Sequence, residues 1–140
     1  MLQHEIKRRV SYGETDKMGY LYYGHYAHYY EIGRVEFLRD LGMAYKSLED
    51  DYKVMLPVKS LNMRFVRPGK YDDLVTIRTM LSELSETGIA FKVELYNEAG
   101  KIMNAGEVRL TFVNAETMRG CPPPKDLVDL IENRREEEAK

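Results

Sequence analysis

The apolar positions of the chain change period twice. HEIKRRVSY, near the start, alternates loosely between apolar and polar residues and predicts a short strand running into GETDKMGY, whose Gly and Thr residues suit a loop. From Gly24 the spacing becomes three and four. Tyr26, Tyr30, Gly33, Phe37 and Leu41 then fall on one face of an α-helix over about residues 24–40, with Gly42 placed to stop it. MAYKSLEDDY predicts a second short helix, ended near Pro57. Between Val54 and Val113 the period returns to two, and VKSLNMRFVRP, LVTIRTMLSEL, IAFKVELYNE and KIMNAGEVRLTFVN read as four strands. The breaks between them are RPGKYDD, SETG and NEAGK, and the short ones favour antiparallel hairpins. After the prolines of CPPPKDL, DLVDLIENRREEEAK predicts a helix fading into a charged, frayed tail that is solvated rather than functional.

An antiparallel sheet with one apolar face must bury it, and the long helix with its aromatic stripe is the only large candidate. The expected layout is therefore a helix lying across a sheet. With 140 residues and 44% apolar content, one compact domain over residues 1–140 is expected, its C-terminal helix or tail beginning at about residue 124. The formal net charge is −2 and the Lys and Arg residues are scattered, which leaves no footprint for nucleic acid or an anionic membrane. A small-molecule partner is the expectation. Apolar runs are far shorter than the roughly 20 residues of a membrane-spanning helix. The single Cys121 cannot form an intrachain disulfide and MLQHEIKRRV has no signal-like pattern, so a cytoplasmic protein is expected.

Candidate chemistry concentrates in YGETDKMGYLYYGHYAHYYEIGR, residues 12–34, which holds two of the three histidines and seven of the eleven tyrosines. His25 and His28 stand three apart on the helix, a spacing compatible with metal ligation, but no third or fourth ligand stands at a matching spacing. No metal site is expected. Cys121 lacks a nearby base or helix N-terminus to activate it. Asp16 admits two readings. It could be a cap or turn residue, although seven residues separate it from Tyr23. Alternatively, a carbonyl polarised by the free N–H of Tyr23 or Gly24 at the helix start could be attacked by this carboxylate, or by a water it activates, which is the logic of acyl transfer. Tyr26 and Tyr30 belong to the core stripe. Tyr22, Tyr26 and Met55 are the expected walls of a pocket for an acyl or aromatic group joined to a polar carrier. His25 reads equally as a polar pocket group and as a surface residue.

TDKMGYLYYGHYAHYYEIGRVEFLRDLG followed by LPVKSLNMRFVRPGKYDDLVTIRT resembles the 4-hydroxybenzoyl-CoA thioesterase-like branch of the hotdog-fold acyl-CoA thioesterases, over about residues 4–125. The shared pattern is a T-D-x-x-G loop, a Y-x-x-Y entry to the helix, R-x-E-F-L-R-x-L-G at its end, and P-V-x-x-L with R-P and D-D on the strands. The resemblance implies an α+β hotdog fold, a curved antiparallel sheet of about five strands wrapped around one long central helix. It implies a thioesterase that splits an acyl or aroyl thioester into free acid and CoA, with Asp16 as nucleophile or general base and the Tyr23 backbone N–H polarising the carbonyl. Gly19, Tyr22, His25 and Tyr26 fall on the substrate side, and Arg64, Arg67 and Lys70 could meet the phosphates of CoA. No cofactor or metal is implied, since coenzyme A is part of the substrate. The family usually forms homo-oligomers, dimers or homotetramers, which would also cover the sheet edges. A thioesterase acting on acyl carrier protein and a non-catalytic acyl-CoA binding module are the alternatives.

Overall fold

The computed structural model describes residues 1–140. Strand β1 (Gln3–Arg9) leads through a 3₁₀ turn at Tyr12–Glu14 and an irregular loop to a second 3₁₀ turn at Tyr23–His25. That turn runs directly into the long helix α1 (Tyr26–Leu41). Helix α2 (Tyr45–Asp50), the two-residue strand β2 (Val54–Met55), strands β3 (Val58–Phe65), β4 (Leu74–Leu84), β5 (Gly88–Tyr96) and β6 (Ile102–Thr111), the short β7 (Val113–Asn114) and helix α3 (Lys125–Ala139) follow. The five long strands form one antiparallel sheet in the order β1-β4-β5-β6-β3, while β2 pairs with β7.

Helix α1 lies across this sheet, against β1, β4 and β5. Its predicted stripe of Tyr26, Tyr30, Gly33, Phe37 and Leu41 is buried throughout. The absence of a side chain at Gly33 sets the approach distance: a Cβ there would stand 2.8 Å from Ile77 Cγ2 on β4. The helix ends at Gly42, whose φ of 112° suits a residue without Cβ, and its N–H meets the Arg39 carbonyl at 3.0 Å. Two apolar clusters share the helix. Phe37, Leu38 and Leu41 pack with Leu48, Phe91, Leu127 and Ile131 at its C-terminal half. Tyr26, Tyr29 and Tyr30 pack with Val75, Ile77, Leu95 and Met103 at its N-terminal half.

SETG and NEAGK close hairpins as expected, Ser85 N–H meeting the Gly88 carbonyl and Asn97 N–H the Lys101 carbonyl, each at 2.9 Å. RPGKYDD makes no hairpin. β3 pairs with β6 at one edge of the sheet while β4 sits beside β1 near the other, so residues 66–73 carry the chain across the fold. The tail also departs from expectation: RREEEA stays helical to Ala139, stapled by Arg134 to the Asp40 carboxylate and carbonyl, each at 2.9 Å, and by Arg135–Glu132 at 3.2 Å. No helix is long and apolar enough to cross a membrane.

Candidate active site

The loop between the two 3₁₀ turns is built by Asp16 itself. Its Oδ1 accepts the N–H of Met18 at 2.9 Å and of Tyr20 at 3.1 Å, and its carbonyl accepts Gly19 N–H at 2.9 Å. Gly19 completes the turn with φ 81°, a conformation that costs a residue with Cβ about 1 kcal/mol. Asp16 N–H returns to the Tyr20 carbonyl at 2.8 Å, Thr15 bridges to Leu21, and Tyr22 N–H meets the Glu14 carbonyl at 2.9 Å. The segment is thus a small closed hairpin that brings Asp16 back beside the start of α1. The Asp16 Oδ2 atom accepts no hydrogen bond from the chain.

Between this loop and residues 65–68 lies a cavity of about 480 Å³ walled by Asp16, Met18, Tyr20, Leu21, Tyr23, Tyr26, Phe65, Val66, Arg67 and Pro68. Leu21 N–H bonds to the Gly69 carbonyl at 2.7 Å and Val66 N–H to the Met103 carbonyl at 2.8 Å, so both walls are anchored to the body of the fold. Phe65 meets Tyr26 edge to face with ring centroids 5.0 Å apart. Burial pushes the Tyr26 phenol up from its ordinary pKa, leaving a neutral hydroxyl in the wall. Tyr23, 67% exposed, stands at the mouth. In the 3₁₀ turn it opens, neither its N–H nor that of Gly24 has an acceptor in the chain, whereas His25 N–H is satisfied by the Tyr22 carbonyl.

Of the residues singled out in the sequence, Asp16, Tyr23, Tyr26 and Arg67 meet around this cavity, and Gly19 shapes the loop without entering the wall. Tyr22 is no wall: its ring turns outward against Tyr23 (4.7 Å) and His25 (5.9 Å). Met55 is also displaced, because β2 pairs it with Val113 in the small sheet, away from the cavity. Arg64 is carried off by strand alternation, lying on the face opposite Phe65 beside Asn62, Ala105 and Gly106. Lys70 touches the site only through its backbone bridge to Tyr20. Arg67 donates Nη1–H to the Ile102 carbonyl at 2.8 Å. His28 pairs with Glu31 at 3.5 Å on the exposed side of α1, and no three His, Cys, Asp or Glu side chains gather into a metal-binding group.

Sequence reasoning missed Phe65, Val66 and Pro68, which enter the wall more than forty positions after Tyr23, and it missed Glu14. Glu14 is buried, 7% exposed, where Oε1 accepts Ser11 N–H and the Tyr29 hydroxyl and Oε2 accepts Arg8 Nη2–H, each at 2.9 Å. Burial alone would raise its pKa, but the bonds from Ser11, Arg8 and Tyr29 outweigh it and hold the carboxyl at about 2. The E-T-D run was the available signal, though nothing in it told which acid faces inward.

A five-stranded antiparallel sheet crossed by one long helix, with a lone acid beside an unsatisfied helix entrance, defines the hotdog class of α+β protein. Residues 10–131 match the family model of the Thioesterase-like superfamily, and the chain belongs to that family. Acyl-CoA thioesterase YbgC of Haemophilus influenzae is 29% identical over 119 residues, covering 85% of this chain and 87% of the relative. Among solved structures, DHNA-CoA thioesterase from Staphylococcus aureus superposes with a TM-score of 0.91 at 26% identity, covering 100% of this chain and 97% of its own. A 4-hydroxybenzoyl-CoA thioesterase mutant solved with 4-hydroxybenzoyl-CoA shares the fold at a TM-score of 0.82, with 18% identity, 91% of this chain and 97% of that one covered. The protein is a thioester hydrolase.

Proposed function

We propose that the protein hydrolyses an acyl or aroyl thioester of coenzyme A to the free acid and CoA, with the chemistry at Asp16 and the Tyr23 backbone amide. One observation carries this reading: the unpartnered Asp16 Oδ2 and the turn that opens with an unsatisfied Tyr23 N–H border the same apolar-walled cavity. The thioester carbonyl oxygen accepts the Tyr23 N–H, which favours the oxyanion that forms as the carbon becomes tetrahedral. Asp16 then acts in one of two ways. As a nucleophile its Oδ2 bonds to the carbonyl carbon, the C–S bond breaks, the thiolate leaves and takes up a proton, and water cleaves the resulting anhydride. As a general base it takes a proton from water while the water oxygen bonds to that carbon, the C–S bond then breaks, and the departing thiolate takes up the proton as the carboxylate is restored. Both routes consume one water and need no resident cofactor.

The acyl group lies between Tyr26, Phe65 and Leu21, and Arg67 at the rim meets the phosphates of the coenzyme, with Lys70, outside the wall and bridged to Tyr20 by its backbone, a second cation on the same segment. One domain, residues 1–140, carries the activity, in a cytoplasmic homo-oligomer. Strand β3 supports the oligomer, because this edge of the sheet leaves Val58, Leu61 and Phe65 exposed beside its unpaired backbone groups. A thiol-release assay over short, long and aromatic acyl-CoAs, each matched by the same acyl group on acyl carrier protein, tests the proposal. Saturable release of free CoA is expected. Saturable binding without released thiol would make the protein a binding module, and faster turnover of the carrier-bound acyl groups would replace CoA as the carrier.

A further inference from the structure

Glu14 is a buried carboxylate outside the wall of the Asp16 cavity, and it takes no part in the steps above. An ion pair in such a place adds little stability by itself, because the lost hydration offsets most of the attraction. Its attachments follow a different logic. The side chain joins three separate elements: Arg8 at the end of β1, Ser11 at the first 3₁₀ turn, and Tyr29 on α1, one helical turn beyond Tyr26. The backbone carbonyl of the same residue holds the N–H of Tyr22, the residue immediately before Tyr23. Asp16 lies two residues further along the same chain, in the loop whose open end Glu14 closes.

We infer that Glu14 is a positioning residue for the reaction, fixing the loop that carries Asp16 to the helix start that carries the Tyr23 amide. The inference rests on the proposed roles of those two groups. The Asp16 loop has no other side-chain hydrogen bond to α1, its remaining hydrogen bonds being internal to the loop or directed to Tyr12, Gly69 and Lys70, while Leu21 packs against the helix without fixing a direction. The Tyr29 hydroxyl sits on α1 itself, so its bond to Glu14 transmits the helix position directly to the loop. Arg8 fills the second carboxylate oxygen and lies over the Tyr29 ring, 5.3 Å from its centroid, which keeps both partners from turning away. With the carboxyl at about 2, Glu14 is ionised through the whole neutral range and acts as a constant anchor rather than a proton carrier. Displacing a reacting group by about 1 Å costs on the order of a hundredfold in rate, so a slackened anchor appears in kcat.

The test measures kcat and KM for thiol release by Tyr29→Phe, Glu14→Gln and Glu14→Ala, well below each variant's melting temperature and normalised to the folded fraction from circular dichroism. Tyr29→Phe removes only the tie to the helix and is expected to lower kcat about tenfold, with KM within about twofold of wild type. Glu14→Ala is expected to lose about a hundredfold, and Glu14→Gln, which keeps an acceptor for Ser11 and Tyr29, to recover most of that loss. If Glu14→Ala fails to fold, the other two variants carry the test. Folded Tyr29→Phe and Glu14→Gln enzymes that share a lowered melting temperature and a wild-type kcat would leave Glu14 with a structural role and overturn the inference. Asp16→Asn is measured beside them, alone and combined with Tyr29→Phe. An inactive Asp16→Asn with a fully active Tyr29→Phe sinks the positioning role alone, whereas an active Asp16→Asn sinks the reading of the site on which it rests. Because Tyr29 acts through Asp16, the double variant is expected to be no slower than Asp16→Asn. A further tenfold loss there would contradict the inference.

Discussion

Asp16 and Tyr23 border one cavity although neither is held by a strand or long helix of its own, because the chain between them folds back on itself from Asp16–Tyr20 to Glu14–Tyr22. The carboxylate spends one oxygen on building this loop and keeps the other free. Loop construction and chemistry are therefore compatible roles for the same side chain.

On the proposed reading of the site, the wall opposite Asp16 governs which acyl group fits. Phe65, 53% exposed and edge-on to Tyr26, narrows the cavity, and Phe65→Ala opens it. The ratio of kcat/KM for a longer over a shorter straight-chain acyl-CoA is expected to rise about tenfold, in line with the worth of a methylene in an apolar pocket. Steady-state kinetics on a chain-length series checks this, and an unchanged ratio would place the acyl group elsewhere.

Gly106 on β6 has no room for a side chain. A Cβ there would drive into the Asn62 carbonyl of the neighbouring β3 and stand 2.8 Å from the Tyr30 hydroxyl. Gly106→Ala is expected to cost about 3 kcal/mol or more, since backbone must move rather than a flexible side chain. Gly13→Ala, where a Cβ meets nothing within 4 Å, is expected to stay within about 0.5 kcal/mol of wild type. Chemical denaturation of the two variants separates them.

These consequences trace back unevenly to the sequence. The stripe from Tyr26 to Leu41 and the four long strands were legible because each period is a local property of consecutive residues. Tyr29 falls beside that stripe, and its burial in the apolar cluster is completed by Arg8 and Glu14, brought up from β1 and the first 3₁₀ turn. The cavity divides in the same way. Asp16 and Tyr23 come from one quoted segment, whereas Phe65, Val66 and Pro68 arrive because β3 pairs with β6 and residues 66–73 cross the fold. Tyr22 and Met55 do not line this cavity for the complementary reason, since adjacency in sequence says nothing about which way a ring turns at a 3₁₀ entrance or which sheet a two-residue strand joins.

Acid stability follows from Glu14. Its folded pKa of about 2 lies below the ordinary 4.5, so the stability it contributes is complete above about pH 4.5 and disappears as pH falls from there through 2. Relative to the protonated carboxyl, this amounts at neutral pH to on the order of 3 kcal/mol. In urea unfolding across pH 2–7, the gap between wild type and Glu14→Gln is expected to close toward pH 2. A gap that stays constant with pH would refute the assignment.

The exposed β3 edge predicts a change in assembly. Leu61→Lys places a charge among the exposed apolar residues of that strand and is expected to shift the protein toward monomer in analytical ultracentrifugation. A wild-type protein that sediments as a monomer at all concentrations would remove this role from the edge.

The most direct test of the whole account is the turnover of saturating acyl-CoA by Asp16→Asn. The substitution keeps an oxygen able to accept the Met18 and Tyr20 N–H groups, so the loop stays closed while the free carboxylate oxygen is lost. A fall in kcat of at least about a hundredfold, with the protein folded and KM little changed, is the result predicted for the loss of a nucleophile or base. A folded Asp16→Asn enzyme turning over near the wild-type rate would contradict it.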